Sequence, residues 1–212
     1  MVTGVKVMII PVDKEKVLEE FKDKYVENRF KNEISKINEK LQKNEKIIKT
    51  EILLNFNKVC KNAKNLQNEN LKKKIKFIYI SFLRTSLLEN KGIWRIDLFD
   101  ENWFLDKEEC FINLDFSFLY ESLFEHIKEL QEKKKEYGRT ITEMDIEKIK
   151  LQEGDKYHKF VIKILEDIVN ELIECENFKE MKRHEELMIF AGEYKDEVEL
   201  LYENEEINKE KV

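Results

Sequence analysis

Proline occurs once in this sequence and glycine five times among 212 residues. So few breakers leave little material for the many tight turns of a sandwich or barrel, whereas long helices tolerate these two residues least. Cysteine occurs three times, at Cys60, Cys110 and Cys175, far apart and with no CxxC pair. That excludes the common zinc and dithiol redox spacings and a disulfide-stapled scaffold. The glycines, Gly4, Gly92, Gly138, Gly154 and Gly192, are all isolated, so there is neither a phosphate-cradling loop nor a GxSxG nucleophile turn. No apolar run approaches the roughly 20 residues of a membrane-spanning helix. The apolar stretch Val5–Ile10 is broken by Lys6 and is too short for a secretion signal. Together these absences predict a chain in the reducing cytoplasm, with no membrane contact.

What is present is charge and aliphatic bulk. Charged residues make up 40% and apolar residues 42%, and the second figure excludes disorder over the whole length. The bases are 34 Lys against 5 Arg. An AT-rich coding sequence produces such a bias together with abundant Asn and Ile, so a lysine cluster carries little functional weight by itself. The net charge of −6 is unevenly spread: residues 1–90 hold 20 bases against 12 acids, or +8, and residues 91–212 hold 19 against 33, or −14. Such asymmetry is explained either by two halves that pack on and compensate each other or by a basic arm for an anionic partner.

Periodicity predicts an α+β protein, mainly α, with long antiparallel helices and two short β-hairpins pairing into a small antiparallel sheet. Residues 1–65 read as a short strand (Val5–Ile10) followed by a coiled-coil-like region. There Leu18, Phe21, Tyr25, Phe30, Ile34, Ile37, Leu41, Ile48, Ile52, Phe56 and Val59 recur at helical spacing with one stutter. Residues 13–60 form one long helix or a hairpin bent near Asn44, and the polar stretch 61–70 is a helix end or linker. Residues 66–203 read as an α+β domain and residues 204–212 as a frayed, disordered tail. A third helix is expected over Leu71–Leu88, although its β-rich run FIYISF also reads as a strand. The alternating IWRIDLF, a turn at 100–102 and Trp103–Leu105 predict the first hairpin, with Cys110–Ile112 as a further short strand. Asp115 starts a helix that Gly138 stops. A Thr140–Glu143 capping box opens the next one, which runs to Cys175 with Gly154 inside it. Leu187–Phe190 and Val198–Tyr202 predict the second hairpin.

The strings IKFIYISFLRTSLL, IWRIDLFDENWFLDKEE and MIFAGEYKDEVELLY resemble a segment of uncharacterised proteins from low-GC Gram-positive bacteria. In some of those proteins the segment follows an array of pentapeptide repeats. The resemblance covers about residues 71–203 and implies no activity. Here only Asn65–Leu66 and Asn70–Leu71 stand five apart, and two matches build no solenoid.

Candidate chemistry is sparse. Lys72, Lys73, Lys74 and Lys76, followed by Phe77 and Tyr79, are the densest basic cluster and the candidate contacts for an anion or nucleic acid. Trp94 and Trp103 are expected to face each other across the first hairpin, as core or, on an exposed face, as contacts for a protein partner. Asp155 with His158, and Glu180 with His184, stand at helical i, i+3 and i, i+4 spacing. Each could supply two metal ligands, but a chain with 45 acids produces such pairs freely, and exposed helix residues making weak pair interactions are the plainer reading. Cys110 reads as a buried, inert thiol. The sequence thus assigns no catalytic residue, metal or cofactor. It favours a cytoplasmic protein-interaction or scaffolding module that self-associates through its N-terminal helices or binds a protein partner. The alternative is nucleic-acid or regulatory binding through the basic half.

Overall fold

The structure is a computed structural model, and it describes residues 13–194, 196 and 198–204. The strand predicted at Val5–Ile10 lies outside the described residues, as does the predicted tail apart from Asn204. Asp13 accepts from the N–H groups of Glu15 and Lys16 and so caps α1, Lys14–Tyr25. The chain turns at Val26–Asn28 into α2, Arg29–Asn68. This single 40-residue helix does not bend into a hairpin near Asn44, and it takes in most of the stretch 61–70. β1 (Ile75–Phe82), α3 (Arg84–Leu88), β2 (Ile93–Phe99), β3 (Phe111–Asp115), α4 (Ser117–Lys134), α5 (Glu143–Ile173), α6 (Glu176–Glu180), β4 (Arg183–Glu193) and β5 (Val198–Glu203) follow. No helix among the described residues is long and apolar enough to cross a membrane.

The sheet corrects the expectation of two hairpins in a small antiparallel sheet. Five strands lie in the order β3-β2-β1-β4-β5, and the central pair, β1 with β4, is parallel. Parallel neighbours need a long crossover, which α3, β2, β3 and α4–α6 supply here. FIYISF is therefore strand β1, not part of a third helix. The first expected hairpin does not form: β2 pairs with β3, and Trp103–Leu105 is a short 3₁₀ turn between them. The helix starts also shift. Asp115 ends β3, while its carboxylate accepts from Ser117 N at 2.7 Å, and the capping box is Thr142–Asp145, two residues beyond the predicted one.

Strand alternation splits the sheet into two unlike faces. Ile78, Ile80 and Phe82 of β1 with Trp94, Ile96 and Leu98 of β2 face the helices, in one core with Phe21, Ile52, Phe56, Tyr120, Val161 and Leu165. Burying each such side chain is worth about 1.5–3 kcal/mol. Most of the heptad-like stripe is used here: Phe21, Ile37, Ile48, Ile52, Phe56 and Val59 are buried inside this chain. The opposite face carries Phe77, Tyr79, Ser81, Arg95, Asp97 and Phe190.

Candidate functional site

The four lysines of the basic cluster do not act as a set. Lys72 has a fully buried side chain whose Nζ donates to Asp106 Oδ2 and to the Glu108 carbonyl, both at 2.6 Å. Lys73 pairs with Glu101 at 2.8 Å and Lys76 with Glu186 at 2.6 Å; Lys74 is exposed. Lys72 reaches a phosphate only by leaving a buried ion pair, a costly step.

The two tryptophans are not cross-strand neighbours. Trp94 sits opposite Phe82 and Leu114 in the core, fully buried, where its Nε1 donates to Tyr120 Oη at 3.3 Å. It is closed to any partner. Trp103 lies on the other side of the sheet and is 41% exposed. Its φ of 57° is left-handed, a region that costs a bulky residue free energy. An Asp100 turn holds it there: Asp100 Oδ1 accepts from Asn102 N at 2.8 Å and the Asp100 carbonyl from Trp103 N at 3.1 Å.

Trp103 belongs to an aromatic layer on the outer face of the sheet. Tyr79 lies at its centre, with ring centroids 4.9 Å from Phe190, 5.5 Å from Phe104, 5.8 Å from Trp103 and 6.2 Å from Phe99. Phe77 adds to it against Trp103, and Tyr194 against Phe104. None of these rings joins the helix-side core. The layer runs out to Phe111, 40% exposed, and Leu200, 50% exposed. Polar groups are embedded in it. The Arg95 guanidinium stacks 3.8 Å from the Phe111 ring and donates to Asp97 Oδ1 at 2.7 Å. Burial raises the Asp97 carboxyl from its ordinary value, and Arg95 opposes that only in part. Asp97 Oδ2 and Ser81 Oγ are buried with no hydrogen-bond partner among the described residues.

A second feature is a cleft of about 660 Å³ between α5 and the β4–β5 turn, lined by Arg84, Asp155, His158, Lys159, Gly192, Glu193 and Glu199 among others. α5 places Asp155 and His158 one turn apart, and the end of β4 brings Glu193 to them, so that one ligand atom from each lies within 4.8 Å of the others. Arg84, opening α3, joins the carboxylates: its Nη2 stands 3.5 Å from Asp155 and its Nε 3.2 Å from Glu193. His158 is not the exposed helix residue that the sequence allowed. It is 6% exposed, with its ring 3.8 Å from that of Phe82 and edge-on to Trp94. Burial, and then Arg84, pushes its pKa down to about 3, so the imidazole is neutral at pH 7. The Glu180–His184 pair does not share a helix: Glu180 ends α6 and His184 lies in β4.

The thiols are unpaired: Cys60, Cys110 and Cys175 are free, and burial pushes Cys110 up to about 11. That protonates the sulfur at neutral pH and removes its nucleophilicity. Sequence reasoning picked out Asp155 and His158 as a pair but missed Glu193 and Arg84, which come to them only through the sheet and the α3 turn. Comparison with known proteins adds no relative: no protein-family model, no curated protein and no solved structure matches this chain.

Proposed function

We propose that this chain is a protein-interaction module whose docking surface is the outer, aromatic face of the sheet. The observation that carries this reading is Trp103. It is partly exposed, held in a left-handed backbone conformation, and stacked on a layer of Phe77, Tyr79 and Phe104 that stays outside the helix-side core. Tryptophan, tyrosine and arginine are the residues over-represented at binding hot spots, and all three meet on this face. The buried, unpartnered Asp97 Oδ2 and Ser81 Oγ add unused hydrogen-bonding capacity beneath it. The partner that suits this surface is an extended protein segment with apolar side chains and backbone N–H donors. The cytoplasm is the compartment we assign, because it keeps three free thiols reduced.

Self-association through the N-terminal helices is the weaker form of this reading, since most of their apolar stripe packs within the chain. Only Ile47 and Leu54 remain prominent on the outer side of α2. The test compares wild type with Trp103→Ala in crosslinking and capture from the native host, after circular dichroism shows that both are folded. A partner retained by wild type should bind the variant at least about 2 kcal/mol more weakly, roughly thirtyfold. Equal capture by both proteins would overturn the assignment of this face.

A further inference from the structure

We infer that Asp155, His158 and Glu193 form a binding site for one divalent transition-metal ion of the zinc type, with Arg84 as the resident cation that the ion displaces. The inference rests on three observations at the cleft and is independent of the aromatic face.

First, three ligand groups converge, an imidazole and two carboxylates, with one ligand atom from each within 4.8 Å of the others. Imidazole with carboxylate suits zinc and its neighbours, whereas magnesium and calcium take oxygen donors almost exclusively. Second, His158 is nine-tenths buried, lines the cleft, and spends neither ring nitrogen on a hydrogen bond among the described residues. Its Nε2 is buried without a partner, and its Nδ1 stands 3.7 Å from Asp155 Oδ1, too far for such a bond. A buried histidine ordinarily satisfies at least one nitrogen. Third, the two carboxylates already share a cation in Arg84.

The geometry also says what binding must do. Zinc takes nitrogen and carboxylate oxygen at about 2.0–2.2 Å, so two atoms on one ion stand at most about 4 Å apart. Ligands spread over 4.8 Å must therefore close by roughly 1 Å. His158 is wedged among Phe82, Trp94 and Tyr120 and stays in place. Asp155, about half exposed, and Glu193 are the groups that move. Arg84 leaves as they close, because one space cannot hold both cations. Two carboxylates with Arg84 carry −1; the same carboxylates with a divalent ion and neutral His158 carry zero. Three protein ligands leave the fourth position open to the cleft, the arrangement of zinc sites that bind water or a substrate.

The experiment is equilibrium dialysis of the full chain against Zn²⁺ alone, with metal analysis, and affinity by competition with a chromogenic chelator. The expected result is one zinc per chain. The double variant Asp155→Asn with Glu193→Gln removes two ligands from the rim of the cleft and leaves His158 packing intact. It should bind at least about tenfold more weakly, since even second-shell changes cost 10- to 100-fold, while circular dichroism shows it still folded when metal-free. Arg84→Gln should bind more tightly than wild type, because the competing cation is gone. No stoichiometric zinc in wild type would overturn the proposal. So would zinc retained by the double variant, which would place the ion on His184 or a thiol, or Arg84→Gln binding more weakly.

Discussion

A single carboxylate, Asp145, ties three parts of the chain together. It accepts from Thr142 Oγ1 at 2.6 Å and Thr142 N at 2.8 Å, and it pairs with Lys14 of α1 at 2.9 Å. Burial alone would raise its carboxyl; the bonds from Thr142 and Lys14 outweigh that and hold it down to about 2. Its folded pKa lies below the unfolded value of 3.8, so its contribution is complete above pH 3.8 and is lost as pH falls towards 2. Lys14 is half exposed, so solvent screening trims the charge part to about 1 kcal/mol. Asp145→Asn should lower stability at pH 7 by about 1–2 kcal/mol, the usual cost of a lost cap, and the gap to wild type should close near pH 2. Urea midpoints at both pH values check this; a gap that persists at pH 2 would mean that charge is not the cause. The cap was legible in kind but not in place, because the string T-I-T-E-M-D offers two threonines. Burial chooses between them: Ile141 and Ile146, the two staple positions around Thr142, are both in the core. Lys72 misled for the opposite reason. A lysine run looks solvated, and only the return of Asp106 beneath it makes that position buried.

Among the elements, α3 and α5 show how glycine places the cleft. Gly154 lies mid-way along α5, where a Cβ would overlap Leu87 Cδ2 of α3. Its absence lets α3 sit close against α5, and the same approach brings Arg84 to Asp155. Alanine in a helix is worth about 1 kcal/mol over glycine, but overpacking a filled core costs about 1–3 kcal/mol, and Leu87 is fully buried. Gly154→Ala should therefore destabilise by about 1 kcal/mol. In a Leu87→Ala background the overlap is gone, and the same substitution should become neutral or stabilising. A double-mutant cycle in urea measures that change of sign; equal effects in both backgrounds would mean that the overlap is relieved elsewhere. The helices were largely legible, because stripes at spacings of three and four are local. β1 stayed open between helix and strand, since its eight residues pack on both faces and lose the alternation that marks a half-buried strand. Its parallel partner β4 lies more than a hundred residues on, beyond the reach of any local pattern. Glu193 at the end of β4 was hidden with it, one acid among 45.

Across the whole molecule the uneven charge becomes a bonding pattern. Among the described residues, the long-range ion pairs joining residues 1–90 to residues 91–212 run one way, base to acid: Lys14–Asp145, Arg29–Glu129, Lys40–Glu121, Lys64–Glu180, Lys72–Asp106, Lys73–Glu101, Lys76–Glu186 and Arg84 with Asp155 and Glu193. Each exposed pair is worth at most about 1 kcal/mol, and often much less. Screening reduces all of them at once, because the Debye length falls from about 10 Å at 0.1 M to about 3 Å at 1 M. Two effects of salt compete. It relieves repulsion within the acidic half, and it weakens attraction between the halves. The attractive partners stand within 4 Å of each other, whereas much of the repulsion acts over longer distances and is already screened at 0.1 M. Further salt should therefore act mainly on the attraction. Sodium chloride raised from 0.1 to 0.5 M is expected to lower the urea midpoint, with Lys72–Asp106 least affected because it is buried. Reversing one exposed pair separates the two effects. Lys40→Glu should destabilise at low salt, and adding Glu121→Lys should restore most of the loss. A midpoint that rises with salt, or a double variant no better than the single, would mean that the halves are held by apolar packing alone.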